Sequence, residues 1–169
     1  MGDVKNVAND EAIKKIKELA EKAQTCLFCT KIETGKPFSM RPMNTRDIDD
    51  NGNLWFLSDK DSTKNMELKE DDKVQLLFSG GNHTDYLSVY GTATILYDRK
   101  KIEEIWTPIA KAWFKEGKDD PRISVIKVTP EEGYYWDIKH GKLVSVIKIA
   151  ASMVSGKTMD DGIEGNIKI

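Results

Sequence analysis

The sequence predicts a mainly β domain, an antiparallel barrel or sandwich with flanking α-helices. Short runs rich in β-branched and aromatic residues recur from Thr25 onward, and turn signals separate them at regular spacing. Apolar residues at helical spacing are concentrated in one stretch after Asn9 and another after Asp98. At 169 residues the chain suits one domain. We expect it over 1–152, with 153–169 as an irregular tail rich in Gly and Asp.

The first helix follows Asn9 and Asp10, with Ile13, Ile16, Leu19, Ala20 and Ala23 on one face. Asp10 and Glu11 suit its positive end, and Glu11–Lys15 and Glu18–Lys22 are spaced to pair along its wet side. "TCLFCTKI" (Thr25–Ile32) reads as a strand, turned by "ETGK" into "PFSMRPMN" (Pro37–Asn44). "DDNGN" is a hairpin signal leading into "LWFLS". A hydroxyl- and charge-rich turn, "DKDST", then precedes a helix that starts around Lys64. "KVQLLFS" (Lys73–Ser79) and "YLSVYGTATILY" (Tyr86–Tyr97) are strands, and Gly91 inside the second predicts a bulge or sharp curl.

Asp98 caps a second helical stretch through Ile102, Ile105 and Trp106. Thr107–Pro108 looks like a fresh start, so a bent helix or two short ones should run to about Gly117. "ISVIKV" (Ile123–Val128) is a strand, "TPEE" (Thr129–Glu132) a capping box, and "LVSVIKIAAS" (Leu143–Ser152) the last strand. The likeness of "ISVIKV" to "VSVIKI" covers only six residues of generic strand and is no repeat.

Lys and Arg number 26 against 28 Asp and Glu, which argues against a phosphate-tracking nucleic-acid surface. No apolar run approaches the roughly 20 residues that span a bilayer, and the start lacks the apolar core of a signal peptide. The expected location is the cytoplasm, with both cysteines reduced.

Several motifs dissolve on inspection. "ASMVSGKT" (Ala151–Thr158) ends like a phosphate loop, but Ala151 replaces the first glycine and "MDDGIEG" is poor helix material. Cys26 and Cys29 sit on a strand, where residues three apart point to opposite faces, so packing outranks redox or metal chemistry. His83 and His140 lack metal-ligand spacing, and no metal site is expected. Trp106, Trp113, Phe114 and Trp136 suit the core by default, yet tryptophans also stack on planar ligands and populate subunit interfaces.

"SDKDSTK" (Ser58–Lys64) carries two readings. It is a polar turn with a helix cap, or an anion site where Ser62 and Thr63 hydroxyls, free N–H groups and the Lys64 ammonium converge on one phosphate. Arg41, alternating with Met40 and Pro42 on a strand one hairpin away, needs an anion or a carboxylate to be affordable.

These pieces, in order, resemble the pyridoxamine 5′-phosphate oxidase-like flavin-binding split barrels, and more closely the general stress protein 26 branch. They are "SMRPM", "GNLWFLSDKDSTK", "KVQLLFS", "YLSVYGTATILYDRKKIEEIW", "AWFKEGKDDPRI" and "YYWD". The resemblance implies a six-stranded antiparallel split β-barrel with flanking helices and a homodimer holding FMN, with FAD as the alternative, between subunits. It implies that Arg41, Pro42 and Met43 line the isoalloxazine and ribityl chain. By the same likeness Leu57 and Ser58 offer backbone groups to the ring, Ser62, Thr63 and Lys64 take the phosphate, and Trp113 or Trp106 reaches across from the partner. Thr63 stands where the oxidases place arginine, and only "IKHGK" stands near their C-terminal Arg-x-His element, so oxidation of pyridoxamine phosphate itself is not expected. The implied function is a flavin-dependent oxidoreductase linked to stress, with a nicotinamide cofactor as a candidate electron donor. The alternative is a non-catalytic flavin-binding or flavin-sensing stress protein.

Overall fold

The computed structural model describes residues 3–80, 85–138 and 162–169. The expected strand at Leu143–Ser152, the histidines His83 and His140, and Gly156–Thr158 lie outside them. These residues are mainly β, with three α-helices among them: α1 (Asn9–Ala23), α2 (Thr63–Glu70) and α3 (Arg99–Ile105). Six strands form a continuous antiparallel wall in the order β4-β3-β7-β8-β9-β6. They are β3 (Thr25–Thr30), β4 (Ser39–Asn44), β6 (Leu54–Asp59), β7 (Lys73–Ser79), β8 (Tyr86–Leu96) and β9 (Ile123–Ile138).

The expectation of six antiparallel strands is too simple. The sheet has ten strands among the described residues, is mixed, and is not closed by a ladder between β4 and β6. Gly162–Lys168, expected to be irregular tail, is strand β10, antiparallel to the second half of β9. Two short strands, β1 (Asp3–Val4) and β2 (Val7–Ala8), lie parallel to β10 on its other side. The tail alternates too weakly to announce a strand; the free edge of the long β9 recruits it. The remaining short strand, β5 (Asp47–Ile48), joins β6 across the Asp49–Asn53 turn, where Gly52 takes a left-handed φ of 80°.

Two apolar clusters hold these layers. α1 buries Ala12, Ile16, Leu19 and Ala20 against Phe28, Leu54, Phe56, Leu76 and Val89 of the sheet. A smaller cluster of Ile102, Ile105, Phe114 and Val125 packs α3 on β9, with Leu57 and Trp106 at its margin. Cys26 and Cys29 are both buried and free.

Local expectations fare unevenly. Asp98 caps α3 by accepting from Lys101 N–H, and a 3-10 helix restarts at Pro108, as the Thr107–Pro108 step requires. Asn9 and Asp10 do not cap α1, whose first residue has no side-chain cap. Its lysines also reach elsewhere: Lys15 pairs with Glu18 and Asp137, and Lys22 with Asp85. "TPEE" caps no helix, because β9 runs straight through it. Pro130 sits opposite Gly91 at a register shift between Tyr90 and Gly91, the predicted bulge, where a missing N–H costs little. A Cβ at Gly91 would lie 2.3 Å from the Thr129 carbonyl, so only glycine fits.

Candidate functional site

β6 ends in a polar turn because its apolar alternation stops at Ser58, and Ser62 then caps α2 by accepting from Asn65 N–H at 3.3 Å. That satisfies one of the free N–H groups of the first turn; those of Thr63 and Lys64 have no backbone partner among the described residues. Thr63 is exposed, while Lys64 turns inward and is only 7% exposed. Its Nζ donates to Ser58 Oγ at 2.5 Å. Ser58 Oγ in turn donates to Asn65 Oδ1 at 2.7 Å, so the hydroxyl's remaining capacity faces the ammonium as acceptor. Asn65 Nδ2 donates to Ser124 Oγ at 2.8 Å, and Ser124 Oγ donates to the Ser58 carbonyl at 3.1 Å.

Lys64 forms no ion pair among the described residues. Burial first, then the positive field of Arg41, lowers its pKa to about 8, against partial support from Asp59 and Glu67. A buried ammonium without an ion pair is costly to keep charged.

Arg41, on β4, faces α2. Its Nη2 pairs with Glu67 Oε2 at 2.7 Å and its Nη1 donates to Thr30 Oγ1 at 2.6 Å. Glu67 also accepts from Thr30 at 2.6 Å and from Ser39 at 3.0 Å. Burial pushes the Glu67 carboxyl up, but these hydrogen bonds outweigh it and leave it below the usual range. The carboxylate that Arg41 required is therefore supplied by α2, three residues beyond Lys64. Met43 packs at the margin of the main core and Pro42 is exposed.

Leu57 and Ser58 lie on a strand whose second edge is largely open. β6 pairs with β9 along its length, but on the other side only Leu54 and Trp55 meet β5. β4 likewise pairs only with β3. The two open edges leave a common joint where Arg46 N–H donates to the Trp55 carbonyl at 2.8 Å. The structure thus brings Ser58, Ser62, Thr63 and Lys64 together at one corner, with Arg41 bound to the same helix. Trp113 is 62% exposed, and its carbonyl is joined through Arg122 to Asp59, the residue after Ser58 at the end of β6. Asn65, Glu67 and Ser124 escaped sequence reasoning. The only signal was a pair of polar residues at inward positions of α2.

The family profile described as pyridoxamine 5′-phosphate oxidase like matches residues 11–160. Protein bli-3 of Neurospora crassa is 30% identical over 112 residues, 62% of this chain. The match spans about half the length of that relative, 54%. A structure from Jannaschia sp. CCS1, described as a general stress protein 26, has a TM-score of 0.78 and is 24% identical. That match covers 92% of this chain and 97% of the other, a likeness of fold. The general stress FMN/FAD binding protein of Xanthomonas citri is 25% identical with a TM-score of 0.62, over 74% of this chain and 87% of its own. With the profile spanning most of the sequence and the fold shared along nearly all of it, this chain belongs to the pyridoxamine 5′-phosphate oxidase-like family.

Proposed function

We propose that this protein binds a flavin, FMN in preference to FAD, and acts as a flavin-dependent oxidoreductase linked to stress. The observation that carries the reading is the buried Lys64 ammonium, which faces Ser58 Oγ and, among the described residues, has no carboxylate partner and stands beside two N–H groups without a backbone partner. A terminal phosphate supplies what this donor set lacks: a cation, hydroxyls and helix N–H groups suit a phosphate monoester and leave no anion of their own in its place. Lys64, Ser62 and Thr63 would hold the phosphate, and the open edges of Pro42–Met43 and Leu57–Ser58 would flank the ring. Arg41 acts here through Glu67, as a tie between β4 and α2. Bound flavin supplies the hydride or electron transfer, which is the cofactor's own chemistry. Thr63 brings no second cation to the phosphate, so the hold is weaker than an Arg-Lys pair would give.

The reading includes a homodimer. Leu27 and Leu77, opposite one another on β3 and β7, are exposed together with Phe38 and Met40, an apolar face that a second copy would cover. The exposed Trp113 suits the same contact.

Titration of the apoprotein with FMN, followed by flavin fluorescence, should saturate; a folded protein that takes up no FMN overturns the reading. Oxidation of NADPH or NADH by the loaded protein then separates an oxidoreductase from a flavin-sensing protein, which would show no turnover with any acceptor.

A further inference from the structure

A second site lies elsewhere and shares no lining residue with the Lys64 corner. A cleft of about 260 Å³ opens between the last turn of α1 and the segment that links β4 to β6, lined by Glu21, Gln24, Thr45, Arg46, Asp47 and Ile48 among others. Arg46 is half-buried there. Its Nη1 donates to Thr107 Oγ1 at 3.0 Å, and among the described residues it has no carboxylate partner. Burial alone pulls its pKa below the ordinary value, with no nearby charge to support the cation. Asp47, on the same wall, is already taken by Lys101 at 2.7 Å. Across the cleft Glu21 is exposed and also makes no ion pair among the described residues.

Two opposite charges thus line one small cleft without neutralising each other. α1 ends on this side, so its C-terminal carbonyls add negative potential around Glu21. Thr45 adds an independent mark. Its Oγ1 is the one buried side-chain nitrogen or oxygen among the described residues without a hydrogen-bond partner. Its backbone is fixed, with the N–H donating to the Gln24 carbonyl at 2.9 Å, so only rotation about Cα–Cβ can bring the hydroxyl to a partner. That hydroxyl is thus available to an oxygen brought into the cleft.

We propose that this cleft binds a small zwitterion of the amino-acid class, its carboxylate on Arg46 with Thr45 and its ammonium toward Glu21 and the end of α1. The size agrees: sites for drug-sized ligands run from about 300 to 1,000 Å³, and this cleft falls just below that range. Neither a simple anion nor a simple cation satisfies both walls. The assignment does not rest on flavin binding, and either can fail alone.

The test is an amide chemical-shift titration of the whole protein with glycine, β-alanine, γ-aminobutyrate and δ-aminovalerate, against acetate and methylammonium at constant ionic strength. The expected result is saturable movement confined to Gln24, Thr45, Arg46, Asp47 and their neighbours. The best amino acid should bind at least about tenfold more tightly than acetate or methylammonium, since it makes one more charge-assisted contact. Arg46→Met, which keeps the aliphatic stem, should weaken it by about tenfold or more. Glu21→Gln, on an exposed residue whose loss cannot unfold the chain, should reduce the amino acid to the level of acetate. No saturation, acetate binding as tightly as the amino acids, indifference to Glu21→Gln, or displacement by FMN each overturns the proposal.

Discussion

Holding an ammonium at Lys64 costs solvation that no carboxylate returns, and this sets stability against ligand binding at one residue. Lys64→Met should lower FMN affinity by about 1.5–3 kcal/mol, the range for a charge-assisted hydrogen bond. The same change should leave the thermal midpoint of the apoprotein unchanged or raised, because it removes a buried unpaired charge. A midpoint that falls together with affinity would make Lys64 a structural residue. The pH dependence has a definite sign. With the folded pKa at about 8 and the ordinary value at 10.5, the unfolded chain binds more protons between those limits, so apoprotein stability rises with pH across that window. FMN affinity should move the other way, falling above pH 8 as the phosphate must bring a proton with it, and the slope should vanish in Lys64→Met. At this scale the sequence was partly readable. That Arg41 needs an anion or a carboxylate follows from its place among apolar neighbours. That the partner is Glu67 does not, because the two stand 26 positions apart with a folded hairpin between them.

The elements explain why that partnership matters. β4 is held by hydrogen bonds on one side only, and the Arg41–Glu67–Thr30 cluster anchors it to α2. Glu67→Gln should destabilise the fold by about 3 kcal/mol, the lower end for breaking a buried pair, as measured by urea unfolding. A loss within 0.5 kcal/mol, the scale of a surface substitution, would show that β4 needs no anchor. In the parent, acid should remove the same contribution as pH falls through the lowered Glu67 pKa, because the folded carboxylate resists protonation that the unfolded one accepts. Strand alternation was legible wherever one face is buried, as in β6 and β7. The capping-box reading of Thr129–Glu132 failed because pairing with β8 outweighs a local helix signal. Gly91 was legible for the opposite reason: a glycine amid β-branched residues has few explanations. Gly91→Ala should cost about 1–3 kcal/mol by forcing β8 and β9 apart at the bulge; a neutral change would contradict the 2.3 Å approach.

For the whole molecule, the proposed dimer is the feature most open to a direct check. Leu77→Lys places a charge in the middle of the exposed β3–β7 face and should shift sedimentation toward monomer with the circular dichroism spectrum unchanged. A dimer that persists would assign that face to something else. Periodicity could not reveal such assembly, since it reports which residues leave water but not whether a second chain covers them.

Among the described residues the short strands β1 and β2 pair only with β10, where Ala8 meets Lys168. Closing so long a loop costs conformational entropy that a pairing of two residues repays poorly. This seam should therefore be the last part of the sheet to form and the first to open in denaturant, as amide hydrogen exchange would show.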